Sequence, residues 1–210
     1  WIPEDAVSDW NLVFHHGFGE HSDRYGNLVE AFEGTGVSLY SYDARGHGRS
    51  DGRRGHTRAF SDYVRDLEEF LMLLRDSRGI RQPVLVGHSM GGLVVLAFGL
   101  SFSNQWDVRA IATSGAALRV AMNPVLKLKK AMGQILSSFA PSLTMPAGVD
   151  VSLLSHDAAV CKAYKSDPLV HGLVSVAMGL GLLAAGEQAI ADADRLRVPL
   201  FMGHGESDGI

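Results

Sequence analysis

The sequence predicts an α/β fold: a mostly parallel sheet with helices on both faces and a helical cap inserted before the last strand. Three observations carry this reading. Short apolar runs alternate with helical segments, glycine-rich turns close the runs, and one long segment interrupts the alternation. The chain has 210 residues, 46% hydrophobic and 20% charged, with 24 glycines. That is the balance of an ordinary globular domain with enough chain for one sizeable core.

Asn11-Leu12-Val13-Phe14-His15 is an apolar run ending in His16-Gly17-Phe18-Gly19, a strand followed by a glycine turn. From Ser22 to Phe32, Tyr25, Leu28, Val29 and Phe32 recur at helical spacing, and Gly34 and Gly36 stop that helix. Val37 to Tyr42 predicts a second strand, closed by Asp43-Ala44-Arg45-Gly46-His47-Gly48-Arg49-Ser50. Phe60, Tyr63, Val64, Leu67, Phe70, Leu71 and Leu74 mark a strong amphipathic helix with Ser61 or Asp62 near its start. Pro83 to Val86 is a third strand, short and apolar as buried parallel strands are. Gly92 to Phe98 is apolar all round, as expected of a helix enclosed in the core. Val108 to Thr113 and Val198 to Met202 complete the strands. The segment between them is rich in Met, Leu, Ala, Gly and Lys and reads as mainly helical. The expected organisation is therefore a core over residues 1–117, a cap over 118–195 and a return to the core over 196–210.

Composition excludes several classes. A net charge of −4 with 19 basic residues gives no broad basic footprint, so no nucleic-acid partner is expected. Arg45, Arg49, Arg53, Arg54 and Arg58 crowd one loop region, expected to be solvated surface. Cys161 is the only cysteine, so neither a disulfide framework nor a cysteine metal site is available, which suits a reducing compartment. No histidine pair has metal-binding spacing, and no metal or cofactor is expected. The longest apolar stretch, Leu173 to Ala185, is short for a spanning helix and broken by Gly179 and Gly181. The expected location is the cytoplasm or the periphery of a membrane, although a chain starting at Trp1 leaves a signal peptide open. Nothing in the sequence sets an oligomeric state.

The chemistry is concentrated in Gly87-His88-Ser89-Met90-Gly91, set between the third strand and the apolar helix. A serine hydroxyl is a poor nucleophile unless it is exposed, has a base, and faces donors for the oxyanion that forms. Small residues two before and two after Ser89 permit the sharp strand-to-helix turn that exposes it. The Met90 N–H, in the first turn of the helix, is one expected oxyanion donor. The second is expected from the loop after the first strand and is placed on Phe18. A carboxylate after the last strand, Asp208 or Glu206, would orient the base.

His16-Gly17-Phe18-Gly19-Glu20-His21-Ser22, Gly46-His47-Gly48-Arg49-Ser50, Gly87-His88-Ser89-Met90-Gly91-Gly92 and Tyr164-Lys165-Ser166-Asp167-Pro168-Leu169 together extend the pattern. The chain resembles the monoacylglycerol lipase and lysophospholipase branch of the α/β-hydrolases over nearly its whole length. The resemblance implies Ser89 as nucleophile, Asp208 as triad acid, and the N–H groups of Phe18 and Met90 as oxyanion hole. It also implies a small-molecule lipid or ester substrate and a helical cap that admits a long acyl chain.

In this fold the triad histidine follows the acid. Only Gly209 and Ile210 follow Asp208, so the chain reads as a piece truncated at both ends, inactive as it stands, with its histidine beyond Ile210. His204 is the one internal substitute. His16 and His21 are expected to brace the oxyanion loop, and His47 and His56 to be structural or solvent-exposed. His156 and His171 fall in the cap without an assigned partner. The stretch Leu173 to Leu183 is expected to pack the cap core, line the acyl tunnel or touch a membrane. The rival readings are a short-chain esterase, a peptidase or a cofactor-free haloperoxidase-like enzyme, and a catalytically dead binding protein on the same fold. Dehalogenases and epoxide hydrolases would need an aspartate where Ser89 stands.

Overall fold

A computed structural model describes residues 10–102, 104–120, 124–206 and 208. The run from Trp1 into the first strand, Ser207 of the acid loop and the closing Gly209-Ile210 lie outside the described residues. The elements are β1 (Asn11–His15), a 3-10 turn (Ser22–Tyr25), α1 (Gly26–Phe32), β2 (Ser38–Ser41), α2 (Ser61–Arg78), β3 (Val84–His88) and α3 (Met90–Phe102). They continue with β4 (Ala110–Ser114), α4 (Pro124–Leu136), β5 (Thr144–Pro146), α5 (Ala158–Ser166), β6 (Leu173–Ser175), α6 (Val176–Ala191) and β7 (Leu200–Gly203).

Five strands form one parallel sheet in the order β2-β1-β3-β4-β7, with Val13 of β1 paired to Tyr40 on one side and Leu85 on the other. After β1 the chain crosses outward to β2, then returns to place β3 against the opposite edge of β1. Connections leaving β1 and β3 therefore diverge, and a crevice opens at the carboxyl ends of this pair. Both motif loops, after β1 and after β3, empty into it. The α/β-hydrolase fold expected from the sequence is the one observed.

The core lies between the sheet and α2, α3 and α6. Leu93, Val94, Val95 and Phe98 of α3 have no exposed surface, which is why this helix is apolar all round. α2 buries the periodic face Tyr63, Val64, Leu67, Leu71 and Leu74 and ends on the left-handed Gly79, whose N–H returns to Arg75. It starts at Ser61, with Asp62 in the first turn, as expected. Neither Ser61 nor Asp62 occupies the cap position, which falls on Phe60; Asp62 instead accepts the Ala59 N–H (3.3 Å) and the Thr57 hydroxyl (2.9 Å) from the preceding turn. The first expected helix is also split. Asp43 Oδ1 holds the Ser22 N–H and hydroxyl (2.9 and 2.7 Å), and the chain makes a 3-10 turn there before α1 begins.

Between β4 and β7 lie α4, α5 and α6 together with an antiparallel pair, β5 with β6. The pair is a feature the sequence reading missed, since three-residue strands are too short to show alternation. Leu173 to Ser175 belongs to β6, and the rest of that apolar stretch is α6, with Val176 and Met178 buried. A Cβ at Gly186 of α6 would lie 2.3 Å from the Leu118 carbonyl oxygen, so the helix backbone sits directly on the exit from β4. At the other edge of the packing, β7 carries Leu200, Phe201 and Met202 exposed.

Candidate active site

Ser89 has φ +52°, the one positive value of a non-glycine among the described residues. An L-residue pays about 1–2 kcal/mol to sit there, so the surroundings must hold it. They do so through the main chain. The Ser89 N–H donates to Ser114 of β4 (3.0 Å), and its carbonyl accepts the N–H groups of Leu93 (3.2 Å) and Ala117 (3.0 Å). Both glycines of the motif are dictated by backbone contact. A Cβ at Gly87 would stand 2.3 Å from the Gly91 carbonyl oxygen, and one at Gly91 would stand 2.1 Å from that of His15. Met90 opens α3, fully buried, with its N–H among the first-turn donors that have no partner within the helix.

The loop after β1 faces this elbow. A Cβ at Gly17 would approach Ser89 Cβ to 3.4 Å and His88 Cδ2 to 3.3 Å, so the two turns nearly touch. The Phe18 ring stands edge-on to His47 and His171, with centroids 5.7 and 5.8 Å apart. Asp208 closes the third side. Its Oδ2 lies beside Gly115, the residue after β4, and 3.3 Å from His204 Nε2. Ser89, Phe18, Met90 and Asp208 all line one cavity of about 1320 Å³, as do His204, Glu206 and His156. The roof is the segment between β4 and β7, with Leu126, Val149, Leu153, Val160, Leu180 and Leu183 turned inward.

The arginine-rich turn is more ordered than solvated surface requires. Arg45 grips Asp66 (Nε to Oδ2 2.5 Å), Arg49 pairs with Asp23 (2.5 Å), and Arg54 donates to the carbonyls of Gly48, Ser50 and Gly52. Arg53 and Arg58 are exposed as expected. This turn carries the buried His47, and the cap meets it there. His171 donates from Nε2 to the Gly46 carbonyl (3.0 Å), its own N–H donates to Gly19 (2.8 Å), and the Ser175 N–H donates to Gly55 (2.9 Å). His171 thus has partners that spacing alone could not reveal. A second tie joins His21 Nε2 to Asp167 Oδ2 at 2.8 Å. The sequence did signal that tie, since Glu20-His21-Ser22 and Ser166-Asp167-Pro168-Leu169 stood out, but not that they meet.

Burial dominates the histidines under the loop. It pulls His15 down to about 4 and His16 and His47 to about 3, with the neighbouring imidazoles adding to the effect. Below pH about 6.5 the unfolded chain takes up protons that these folded rings refuse. Each ring therefore weakens the fold by about 1.4 kcal/mol per pH unit until its folded value is reached. Stability is complete above pH about 6.5 and falls toward pH about 4. The urea midpoint is expected to stay level above pH about 6.5 and to drop below it toward pH about 4; a midpoint that stays level throughout would contradict the buried neutral cluster.

A family model described as serine aminopeptidase, S33, matches residues 7–210. A monoacylglycerol lipase of Mycolicibacterium smegmatis is 31% identical over 209 residues, 99% of this chain and 73% of that protein. A putative monoglyceride lipase of Schizosaccharomyces pombe is 30% identical over 205 residues, and the chain spans 53% of its length. Among solved structures, the monoacylglycerol lipase of Paleococcus ferrophilus superposes with a TM-score of 0.83 at 32% identity, covering 93% of this chain and 72% of that one.

Proposed function

Because the chain belongs to the serine aminopeptidase S33 family, as a serine hydrolase of the monoglyceride lipase-like kind, we propose that the whole protein hydrolyses esters of single-chain lipids, monoacylglycerols foremost. The observation that carries the reading is the left-handed Ser89 on the floor of a cavity whose roof is apolar. Ser89 Oγ adds to the ester carbonyl while its proton passes to a histidine, and the N–H groups of Phe18 and Met90 hold the oxyanion. Collapse expels the alcohol, which takes the proton, and leaves an acyl-serine. Water then repeats the sequence and releases the fatty acid. The acyl chain lies under the proposed cap, residues 118–195, and no cofactor takes part.

In this reading Asp208 orients a histidine other than His204. His204, 3.3 Å from Asp208, supports a second reading in which it is the base itself. His204→Ala separates the two: unchanged turnover favours the first, and a loss of about 10⁴-fold or more favours the second. Esters of increasing chain length test the substrate. Decanoate is expected to exceed acetate in kcat/KM by at least about tenfold, since each buried methylene adds about 0.8 kcal/mol. A preference for acetate would favour the short-chain esterase, and cleavage of aminoacyl amides over esters would favour the peptidase.

A lipid substrate raises the question of where the protein meets it. Among the described residues no helix is long and apolar enough to cross a membrane. Val125, Leu128, Met132 and Ile135 nevertheless form an exposed stripe along α4, continued by Phe139 at 85% exposure. The sequence from Val108 to Val149 contains no acidic residue, against Arg109, Arg119, Lys127, Lys129 and Lys130, in a chain of net charge −4. Of the alternatives given for Leu173 to Leu183, burial of Val176 and Met178 and the cavity lining by Leu180, Leu182 and Leu183 support core packing and tunnel lining, so in this reading a membrane contact is sought on α4. Ile135→Asp combined with Phe139→Asp is expected to weaken binding to anionic vesicles by about tenfold or more, with hydrolysis of a soluble ester retained. Equal binding by the double variant would remove α4 from the contact.

A further inference from the structure

Gly17 is the point in the oxyanion loop where the backbone has most freedom and least support from its own side chain. A Cβ there would stand 2.6 Å from Glu20 Oε1, so a larger residue would push the Glu20 carboxylate off its present position. Its two peptide groups are instead held from outside. On one side the Gly17 N–H donates to Glu20 Oε1 (2.9 Å), with the Tyr25 hydroxyl oxygen at 3.3 Å, and that hydroxyl also donates to Glu20. On the other, the Gly17 carbonyl accepts His16 Nδ1–H at 2.7 Å.

The second bond bears directly on Phe18. The Gly17 carbonyl and the Phe18 N–H belong to one planar trans peptide and point in opposite directions. Fixing the carbonyl therefore aims the N–H, and a donor on the carbonyl also polarises that amide. The imidazole is set up for this single task. Its Nε2 accepts the Ala44 N–H at 2.9 Å, which leaves the ring proton on Nδ1 and admits one neutral tautomer. His16 has no exposed surface.

We propose that His16 and Glu20 are positioning residues, a two-sided clamp that sets the peptide planes at Gly17 and so aims the Phe18 N–H at the oxyanion formed on Ser89. The proposal rests on Phe18 being the oxyanion donor and Ser89 the nucleophile. The clamp continues into the cap. Arg24 Nε lies 3.4 Å from Glu20 Oε2, its Nη1 lies 3.8 Å from Asp167, and its guanidinium covers the Tyr164 ring at 4.8 Å. Glu20-His21-Ser22 and Ser166-Asp167, two of the motifs that carry the family resemblance, are the two ends of this one network.

The test is steady-state kinetics on the full-length enzyme with a soluble ester. Glu20→Ala is expected to lower kcat about a hundredfold with KM within about twofold, the pattern of an interaction made in the transition state. Glu20→Gln keeps an acceptor at Oε1 and is expected to recover to within about tenfold of wild type, and His16→Asn, which keeps a donor near Nδ1, to exceed His16→Ala by about tenfold or more. A trifluoromethyl ketone that adds to Ser89 should lose affinity in step with kcat/KM. Unchanged kcat in Glu20→Ala alongside a lowered unfolding temperature would overturn the clamp and leave a structural tie. Should Glu20→Ala not fold, Tyr25→Phe serves in its place, with a kcat loss of about tenfold expected and no loss overturning the proposal. Ser89→Ala keeps the two levels apart. Activity surviving that change defeats the underlying reading, whereas activity abolished there but intact in Glu20→Ala defeats only the clamp.

Discussion

Ser89→Ala is expected to reduce kcat by about a million-fold, to the residue that oxyanion donors and binding alone supply. The reaction as proposed has no other atom to carry the acyl group, so the loss should appear in kcat without a matching change in substrate binding. Labelling by a fluorophosphonate should vanish with it. The fold should be nearly indifferent, because the Ser89 contacts that hold the elbow are all made by its N–H and carbonyl. A further comparison isolates the strain. Ser89→Gly is equally inactive, yet glycine adopts φ +52° without the penalty of an L-residue. It is expected to be about 1 kcal/mol more stable to urea than Ser89→Ala. Equal midpoints would mean that the elbow relaxes and the positive φ is not enforced.

Gly91→Ala carries a large expected cost to the fold. The added methyl would sit 2.1 Å from the His15 carbonyl oxygen and 2.6 Å from that of His16, both main-chain atoms of β1 and its exit. No side chain can swing aside to receive it, so either α3 or the end of β1 has to move. Overpacking of this kind typically costs about 1–3 kcal/mol, and contact with main-chain atoms that cannot rotate away puts it at the upper end. The displaced atoms are also those that place Gly17 and Phe18. A shift of about 1 Å at reacting groups costs about a hundredfold in rate, so kcat should fall well before unfolding does. Activity and urea midpoint close to wild type would show that the elbow and the β1 loop are less tightly engaged than these distances state.

Much of this was legible in the sequence because the signals were local. The parallel strands show as apolar runs, α2 as a repeat of three and four, and the elbow as glycines at fixed offsets from Ser89. Ser89 and Met90 were proposed from strand-turn-helix order and Phe18 from its loop and the resemblance, and the structure brings all three to one cavity with Asp208. What escaped depends on contacts between distant segments. His171 on Gly46, His21 on Asp167 and the β5–β6 pair join residues that no periodicity relates. At α2 the start was legible and only the bonding of Asp62 was not: it reaches backward to Ala59 and Thr57, a choice between local partners that composition does not decide. The exposed stripe of α4 has ordinary helical spacing, and only the packing tells which way it faces.

The seam between the cap and the two motif loops has a practical side for redesign. Residues from Asp167 to Ser175 are bonded to His21, Gly19, Gly46 and Gly55 in turn, so this stretch is tied to the loops after β1 and β2 although it lies between β4 and β7. α4, by contrast, contributes lining side chains to the cavity and an outer face to solvent. Exchange of caps between relatives to alter chain-length preference is therefore best joined before Asp167, leaving Asp167 to Ser175 with its native partners. A graft that replaces the whole insertion would import a foreign neighbour for the oxyanion loop along with the new pocket.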